Sequence, residues 1–223
     1  MASKLARPVG GWPIARAGET LGVSLPDGIA NALGHWLDLL ATWNARVDLT
    51  AARSPDELVD LMLADAMVLS TRIPANARVI DVGTGAGAPG LALAVLRPDL
   101  DLTLVEPLAK RSAFLRTVVG TLKLSRVALD PQNGDQVATR RGGAWEVALA
   151  RATLGPSEWL ALASRLVTAD GAAWAFLAKE PNPTHPDLAV VEEVNYVWPL
   201  TGAKRRLVRY ERPSAGGGGR TDG

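Results

Sequence analysis

The sequence predicts an α/β fold in which a helical cap precedes a mostly parallel sheet that ends in an antiparallel edge. Three observations support this prediction. From residue 77 onward, short β-branched or aliphatic runs alternate with amphipathic segments, as in parallel strands joined by right-handed crossovers. A glycine-rich turn joins the first of these strands to its helix. The segment 20–71 has helical periodicity instead.

The helical cap is predicted over residues 20–71. In its first half, apolar residues recur every three or four positions, so that one stripe faces a core. These residues are Ile29, Leu33, Trp36, Leu37, Leu40 and Trp43. In its second half, Ser54 followed by Pro55 and Glu57 is typical of a helix start, and this helix is predicted to run through Leu69.

The core is predicted over residues 77–212. Ala77–Val82 is its first strand, and the helix after it ends before Pro98. The later elements are predicted as strand Leu102–Glu106, helix Ala109–Leu122, strands Arg126–Leu129 and Trp145–Ala150, a helix from Pro156 to about Val167, and strand Ala172–Ala178. Two extended runs, Val190–Val197 and Ala203–Tyr210, are expected to form the antiparallel edge.

Both ends of the chain are expected to be mobile. Residues 1–19 contain proline and glycine without clear periodicity, and residues 213–223 form a glycine-rich tail with four consecutive glycines. A chain of 223 residues suffices for one α/β domain with a small appendage. A single domain is therefore expected over residues 20–212.

The composition restricts the function classes. The chain has 24 basic and 23 acidic residues, a net charge of +1, so any RNA contact must depend on local patches. It has no cysteine, which excludes disulfides and thiolate chemistry, and no histidine and carboxylate spacing suggests a metal site. No apolar stretch approaches the length of a membrane span and no signal peptide is recognisable. A cytoplasmic protein without membrane contacts is expected.

The most informative motif is the turn Asp81-Val-Gly-Thr-Gly-Ala-Gly-Ala-Pro-Gly90, directly after a buried strand. Gly85, Gly87 and Gly90 fit the dinucleotide fingerprint, and Glu106 ends the next strand, near the offset of a ribose-binding acid. Asp81 favours a different ligand, because its carboxylate would repel a pyrophosphate but attract a cationic amino-acid end. S-adenosylmethionine has such an end. A nicotinamide dinucleotide, or a turn that binds nothing, remains the alternative.

Several motifs in a fixed order resemble a known family. They are Asp48-Leu-Thr50, the Asp81 to Gly90 turn, Arg97-Pro98, Leu108-Ala-Lys-Arg111 with Phe114-Leu115, Leu122-Lys-Leu124, Ala150-Arg-Ala152 and Lys179. Over about residues 20 to 211, the chain resembles the glucose-inhibited division protein B (GidB/RsmG) family. These are bacterial methyltransferases that modify a guanine N7 in small-subunit (16S) ribosomal RNA. The resemblance implies a Rossmann-like class I methyltransferase sheet, S-adenosylmethionine as cofactor, and a monomer acting on a ribosomal particle.

The resemblance also implies roles for individual residues. Gly83, Gly85, Gly87 and Ala88 would line the methionine side of the donor, and Asp81 would belong to the same cofactor-binding set. Glu106 would bind the ribose, and Gly134 and Asp135 would lie beside the adenine. Arg151 would lie at the donor and target-base side of the pocket. Basic residues expected near RNA are Lys110, Arg111, Lys179 and Arg205, to which the basic run in residues 201–212 adds Lys204, Arg206 and Arg209.

The sequence departs from the family mainly on the substrate side. Leu61-Met62 stands where the family usually has an Arg-His pair. The Asp that follows this pair in the family is retained here as Asp65. Other family residues are replaced at Asn133, Ala150, Thr153 and Arg206. A methyltransferase acting on another nucleic acid or small molecule is therefore one alternative. A non-catalytic S-adenosylmethionine-binding relative acting in ribosome assembly is the other.

The expected chemistry requires alignment rather than proton transfer. Guanine N7 already carries a lone pair, so no general base has to remove a proton first. Arg151 is accordingly predicted to position the reactants, and neither His35 nor His185 is assigned a catalytic role.

Overall fold

A computed structural model describes residue 5 and residues 8–213 of the chain. Its centre is a seven-stranded sheet with the order β3-β2-β1-β4-β5-β7-β6. The strands are β1 (Arg78–Val82), β2 (Asp101–Val105), β3 (Val127–Asp130), β4 (Trp145–Ala150), β5 (Val167–Leu177), β6 (Ala189–Val197) and β7 (Lys204–Glu211). The first five strands are parallel, and β7 lies antiparallel between β5 and β6. The predicted α/β fold with an antiparallel edge is confirmed.

Helices cover both faces of the sheet. They are α1 (Ile14–Leu21), α2 (Asp27–Asn44), α3 (Pro55–Val59), α4 (Asp65–Ser70), α5 (Gly90–Leu96), α6 (Ala109–Thr121), α7 (Gly134–Arg141) and α8 (Pro156–Leu166). The cap helices pack on one face together with α5 and α6, in a core that contains Trp36, Leu93 and Phe114. Helices α7 and α8 pack on the other face, around Val137 and Trp159. Among the described residues, no helix is both long and apolar enough to cross a membrane.

The expectation of a mobile segment over residues 1–19 needs a correction. Helix α1 begins inside it, and Ile14 and Ala17 are buried against the cap. Trp12 is buried too, and its indole N–H donates to Asp38 Oδ1 at 2.8 Å. The prolines and glycines in this segment obscured the helical pattern of α1, which is stabilised by its packing onto α2. The tail from residue 214, with residues 1–4, 6 and 7, lies outside the described residues.

Two helical features differ from the sequence prediction. Helix α7 was not predicted; Asn133 starts it in a capping box with Gln136, whose side chain accepts from the Asn133 backbone N–H at 3.1 Å. The predicted helix from Ser54 is present, and Ser54 Oγ accepts from the Glu57 backbone N–H at 3.1 Å. Between α3 and α4, however, residues 60–64 form a π-helical turn, which a periodicity of 3.6 residues does not predict.

Candidate active site

The glycine turn lies between β1 and α5, at the carboxyl edge of the parallel strands. Backbone N–H groups of Gly83 and Thr84 donate to the Val105 carbonyl at 2.8 and 3.1 Å, which ties the turn to β2. Gly83, Gly85 and Gly87 have φ values of 68°, 59° and 108°, a region that residues with a Cβ rarely adopt. The sequence therefore needs glycine here, and the half-buried Gly83 and Gly85 lie at the sheet edge where α/β proteins bind ligands.

Asp81 holds this turn from below. It is fully buried, and its Oδ2 accepts from Thr84 Oγ1 at 2.6 Å and from the Gly90 N–H at 2.8 Å. Its Oδ1 has no hydrogen-bond partner within the described part of the chain. Burial raises the pKa of Asp81 to about 6, although the hydrogen bonds from Thr84 and Gly90 and the charge of Arg151 oppose the rise. Asp81 thus organises the turn, a role that the sequence did not indicate.

Glu106 is buried at the end of β2 and also binds the turn. Its Oε2 accepts from the Gly85 N–H at 3.0 Å, and its Oε1 accepts from the Leu108 N–H at 2.9 Å. A carboxylate oxygen can accept more than one hydrogen bond, so both oxygens retain acceptor capacity for a ribose. The structure places Glu106 beside Gly85 and buries it beneath the turn, and its contact with a ribose stays a prediction.

Gly134 and Asp135 begin α7, next to β1. A Cβ on Gly134 would lie 2.8 Å from Val82 Cγ1 and 2.6 Å from Leu162 Cδ2, so only glycine allows this close approach. The Asp135 side chain is exposed and pairs with Arg165 of α8 at 2.7 Å. Gly134 therefore serves helix packing here, and the Asp135 carboxylate is engaged by α8.

Two adjoining cavities open at the carboxyl edge of the sheet. The turn cavity, of about 230 Å³, contains Gly83, Thr84, Gly85 and Ala88. The hairpin cavity, of about 290 Å³, extends toward the connection between β6 and β7 and contains Phe176, Glu180, Trp198 and Arg205. Both cavities are lined by Leu61, Arg151 and Ala152. The structure therefore places the predicted residue Arg151 between the turn cavity and the hairpin cavity.

Arg151 is held by the cap. Its Nη1 donates to Asp65 Oδ2 at 2.9 Å and to the Leu61 carbonyl, and its side chain is only 15% exposed. On the other Asp65 oxygen, Tyr196 Oη and Trp198 Nε1 donate at 2.6 and 2.8 Å. Burial and the Asp65 charge raise the pKa of Tyr196 far above its ordinary value, so its hydroxyl remains a donor. The sequence did not predict Tyr196 and Trp198 as partners of Asp65. The one local signal for these hydrogen bonds was the position of an acid, Asp65, in an apolar helix.

Thr153 packs directly over the glycine turn. Its Oγ1 donates to the Gly83 carbonyl at 3.0 Å, and a Cβ on Gly83 would lie 2.2 Å from its methyl carbon. One of the family departures thus closes one side of the turn cavity.

The basic residues of β7 do not form one surface. Side chains alternate along a strand, so Arg205 and Arg209 lie on one face of the sheet and Lys204 and Arg206 on the other. Arg206 is engaged by Asn182, Glu193 and the Glu180 carbonyl, and Arg209 pairs with Glu211. Of these four β7 residues, only Arg205, 3.8 Å above the Trp198 ring, reaches the hairpin cavity. RNA contacts by the basic residues of β7 stay a prediction.

The remaining basic candidates lie at the same edge of the sheet. Lys110 and Arg111 open α6, where they line a shallow recess with Arg46, and Arg111 also borders the turn cavity. Lys179 is exposed just after β5. These cations surround the two cavities. Within the described ranges, no cluster of three or more His, Asp or Glu side chains could hold a metal ion.

The turn cavity fits a donor with a cationic amino-acid end. A Cβ on Gly85 would meet only the Gly83 carbonyl, at 4.0 Å, so there is space beside the bare backbone. Below the turn lies the buried carboxylate of Asp81 with one oxygen unpaired. Half-buried glycine backbone lines the cavity, with the carboxylates of Asp81 and Glu106 buried behind it, and these groups match the chemistry of a nucleoside that carries an amino acid.

Sequence comparisons give a consistent result. The family model for rRNA small subunit methyltransferase G (GidB) matches residues 29–185. A ribosomal RNA small subunit methyltransferase G from Anaeromyxobacter dehalogenans is 31% identical over 207 residues, covering 89% of this chain and 96% of that protein. The protein of the same name from Burkholderia multivorans is 32% identical over 200 residues, covering 85% and 86%.

Solved structures confirm the fold. TYW2 from M. jannaschii, in complex with AdoMet, has a TM-score of 0.54 at 12% identity, covering 67% of this chain and 75% of that one. TYW2 from P. horikoshii, in complex with MeSAdo, has a TM-score of 0.52 at 13% identity, covering 66% and 61%.

Proposed function

The chain belongs to the GidB family of rRNA small subunit methyltransferases, and from this premise we infer that it transfers a methyl group from S-adenosylmethionine to a guanine N7 in small-subunit ribosomal RNA. The observation that carries this function is the junction of two cavities at Arg151, one of which is lined by Gly83 and Gly85 of the glycine turn. One cavity suits the methyl donor and the other the accepting base. We further propose that the protein acts as a monomer, in the cytoplasm, on RNA within a ribosomal particle.

The donor would be held by the glycine turn and two carboxylates. Gly83, Gly85 and Ala88 line the cavity, whereas Glu106 and Asp81 are buried behind the turn. From there Glu106 would offer acceptors for the ribose hydroxyls, and the Asp81 charge would attract the ammonium. When bound, S-adenosylmethionine supplies an electrophilic methyl group on a sulfonium sulfur. The turn is already hydrogen-bonded to β2 and Glu106, so little order has to be created on binding.

The protein's task at the acceptor is alignment. A methyl transfer to N7 forms one N–C bond, breaks one S–C bond, and moves positive charge to the base without moving a proton. Arg151 can fix the base or donor because Asp65 and the Leu61 carbonyl hold its guanidinium through Nη1. Holding reacting atoms at about 3 to 3.5 Å can lower the barrier of such a reaction by about 7 to 11 kcal/mol. Leu61, Leu154 and Phe176 provide apolar walls that exclude water.

The donor affinity is expected to rise with pH between 5 and 7. Asp81 ionises near pH 6, and its charge attracts the donor's ammonium, which stays protonated in this range. Affinity should increase up to about tenfold as Asp81 ionises. Calorimetric titration of S-adenosylmethionine at several pH values measures this. Asp81→Asn should bind more weakly and lose the dependence; an equal pH dependence in this variant would show that another group titrates.

RNA binding is expected to depend on the basic residues that surround the cavities. Replacing Lys110 and Arg111 by alanine should reduce the log-log salt slope by about one to two units, because each lost phosphate contact releases about one counterion fewer. The matched control is Arg140→Ala with Arg126→Ala, two arginines paired with Asp130 and Asp101 away from both cavities. Salt titration of small-subunit RNA binding measures both pairs. Equal slopes would mean that Lys110 and Arg111 make no phosphate contacts.

A transfer assay tests the function itself. Labelled methyl donor is incubated with the protein and with small subunits from a strain that lacks it, with naked 16S RNA, or with free nucleosides. We expect label in the particle, and recovery of 7-methylguanine after hydrolysis. Label only in other substrates would favour a relative with changed specificity. Donor binding without any transfer would favour a non-catalytic role in ribosome assembly.

A further inference from the structure

Two buried carboxylates on the cap face the same hairpin because of the π-helical turn. Asp60 and Asp65 are five residues apart and are respectively 0% and 2% exposed. In a regular α-helix such residues would point about 140° apart. A π turn closes its hydrogen bonds over five residues, so that positions i and i+5 lie on one side. Residues 60–64 form such a turn, between α3 and α4.

The two carboxylates hold different parts of the hairpin formed by β6 and β7. Asp60 accepts from the backbone N–H groups of Leu200 and Thr201, at 3.1 and 2.8 Å, and from the Thr201 hydroxyl at 2.7 Å. It therefore fixes the turn of the hairpin only. Asp65 accepts from Tyr196 Oη and Trp198 Nε1 on one oxygen and from Arg151 Nη1 on the other.

We propose that Asp65 is a positioning residue for methyl transfer: it fixes the Arg151 guanidinium and the Trp198 indole as the preformed walls of the hairpin cavity that receives the accepting base. This inference rests on the proposed function. Both Arg151 hydrogen bonds to protein use Nη1, so within the described residues Nη2 and Nε remain for a ligand. The Trp198 ring is held at its edge by Asp65 and covered on one face by Arg205.

The charge balance explains why a carboxylate is required. A buried Asp65 needs donors on both oxygens, and a buried arginine needs an anion. Tyr196 and Trp198 supply neutral donors, whereas Arg151 supplies the only positive charge among the recorded hydrogen bonds to Asp65. An asparagine could keep the two neutral hydrogen bonds on its oxygen, but it would present an amide N–H toward the guanidinium. Arg151 would then lose its anchor while the hairpin stayed attached.

The test compares Asp65→Asn with Asp60→Asn. The two residues are similarly buried and hold the same hairpin, but only Asp65 contacts Arg151. On small subunits, Asp65→Asn should lower kcat at least about tenfold and change the donor Kd and the KM for the subunit less than about threefold. Asp60→Asn should lower the Tm but keep kcat within about threefold at a temperature where it is folded. Equal kcat losses in the two variants, or wild-type kcat in Asp65→Asn, would overturn the inference.

A double-mutant cycle identifies the residue through which Asp65 acts. If Asp65 acts by positioning Arg151, adding Asp65→Asn to Arg151→Lys should lower kcat by less than about twofold relative to Arg151→Lys alone. Multiplied losses would mean that the two residues act independently. Should Asp65→Asn fail to fold, Asp65→Glu replaces it, since it keeps the charge but displaces the carboxylate. A folded Asp65→Glu with unchanged kcat would contradict the proposal.

The assay separates this inference from the proposed function. If the wild-type protein transfers no methyl group to any small subunit, the proposed function fails regardless of Asp65. If the wild type is active and Asp65→Asn equals it, only the positioning role fails.

Discussion

Replacing Arg151 by lysine is expected to lower methyl transfer to small subunits at least about tenfold while the fold stays intact. Lysine keeps the positive charge and can still pair with Asp65. It has a single ammonium in place of a planar fork, however, so it cannot hold Asp65 and the Leu61 carbonyl while offering further donors to a ligand. Single-turnover transfer at saturating donor measures the chemical step. Thermal unfolding shows whether the variant is folded.

The control is Arg126→Lys, which changes an exposed arginine paired with Asp101 at 3.1 Å, at the opposite edge of the sheet. It should retain wild-type transfer.

The wild-type rate should also show no bell-shaped dependence between pH 6 and 9, because no histidine or cysteine is required to titrate. Full activity of Arg151→Lys, or a clear bell in this range, would instead indicate a base-assisted reaction on another atom.

Glu106→Ala is expected to weaken S-adenosylmethionine binding by about 1.5 to 3 kcal/mol, the usual cost of losing a charged hydrogen-bond acceptor. The alanine removes the acceptor for the ribose hydroxyls. It also releases the N–H groups of Gly85 and Leu108, so the turn loses the hydrogen bond from Gly85 but keeps those of Gly83 and Thr84 to the Val105 carbonyl. Glu106→Gln retains one acceptor oxygen and should show an intermediate loss. Calorimetric titration measures all three proteins.

The same titration compares the wild-type protein with a nicotinamide dinucleotide. S-adenosylmethionine or its demethylated product should bind more tightly, because the buried Asp81 charge disfavours a pyrophosphate. Equal or tighter nicotinamide binding, or an unchanged donor affinity in Glu106→Ala, would refute this account of the turn cavity.

Features with a local physical cause could be predicted from the sequence. The Ser54 N-cap depends on the hydrogen bond to a residue three positions away, and the turn from Gly83 to Gly90 depends on backbone conformations that glycine adopts easily. The alternation of strands and helices after residue 77 likewise determines a parallel sheet. Arg151 was predicted at the carboxyl end of β4, and the structure places it there, between the two cavities.

Partners distant in sequence could not be predicted. Asp65 binds Tyr196 and Trp198, which lie 131 and 133 residues further along the chain, and nothing local to either indicates that contact. Strand pairing decided which β7 arginines face the cavities, and burial decided that Asp81 holds the turn from below. By itself, the sequence determined the α/β class, the glycine turn and the family resemblance, since these depend on local periodicity, backbone geometry and the order of motifs. Only the tertiary structure decided which charges meet around Arg151, because those contacts form when strands and helices from separate parts of the chain come together at one edge of the sheet.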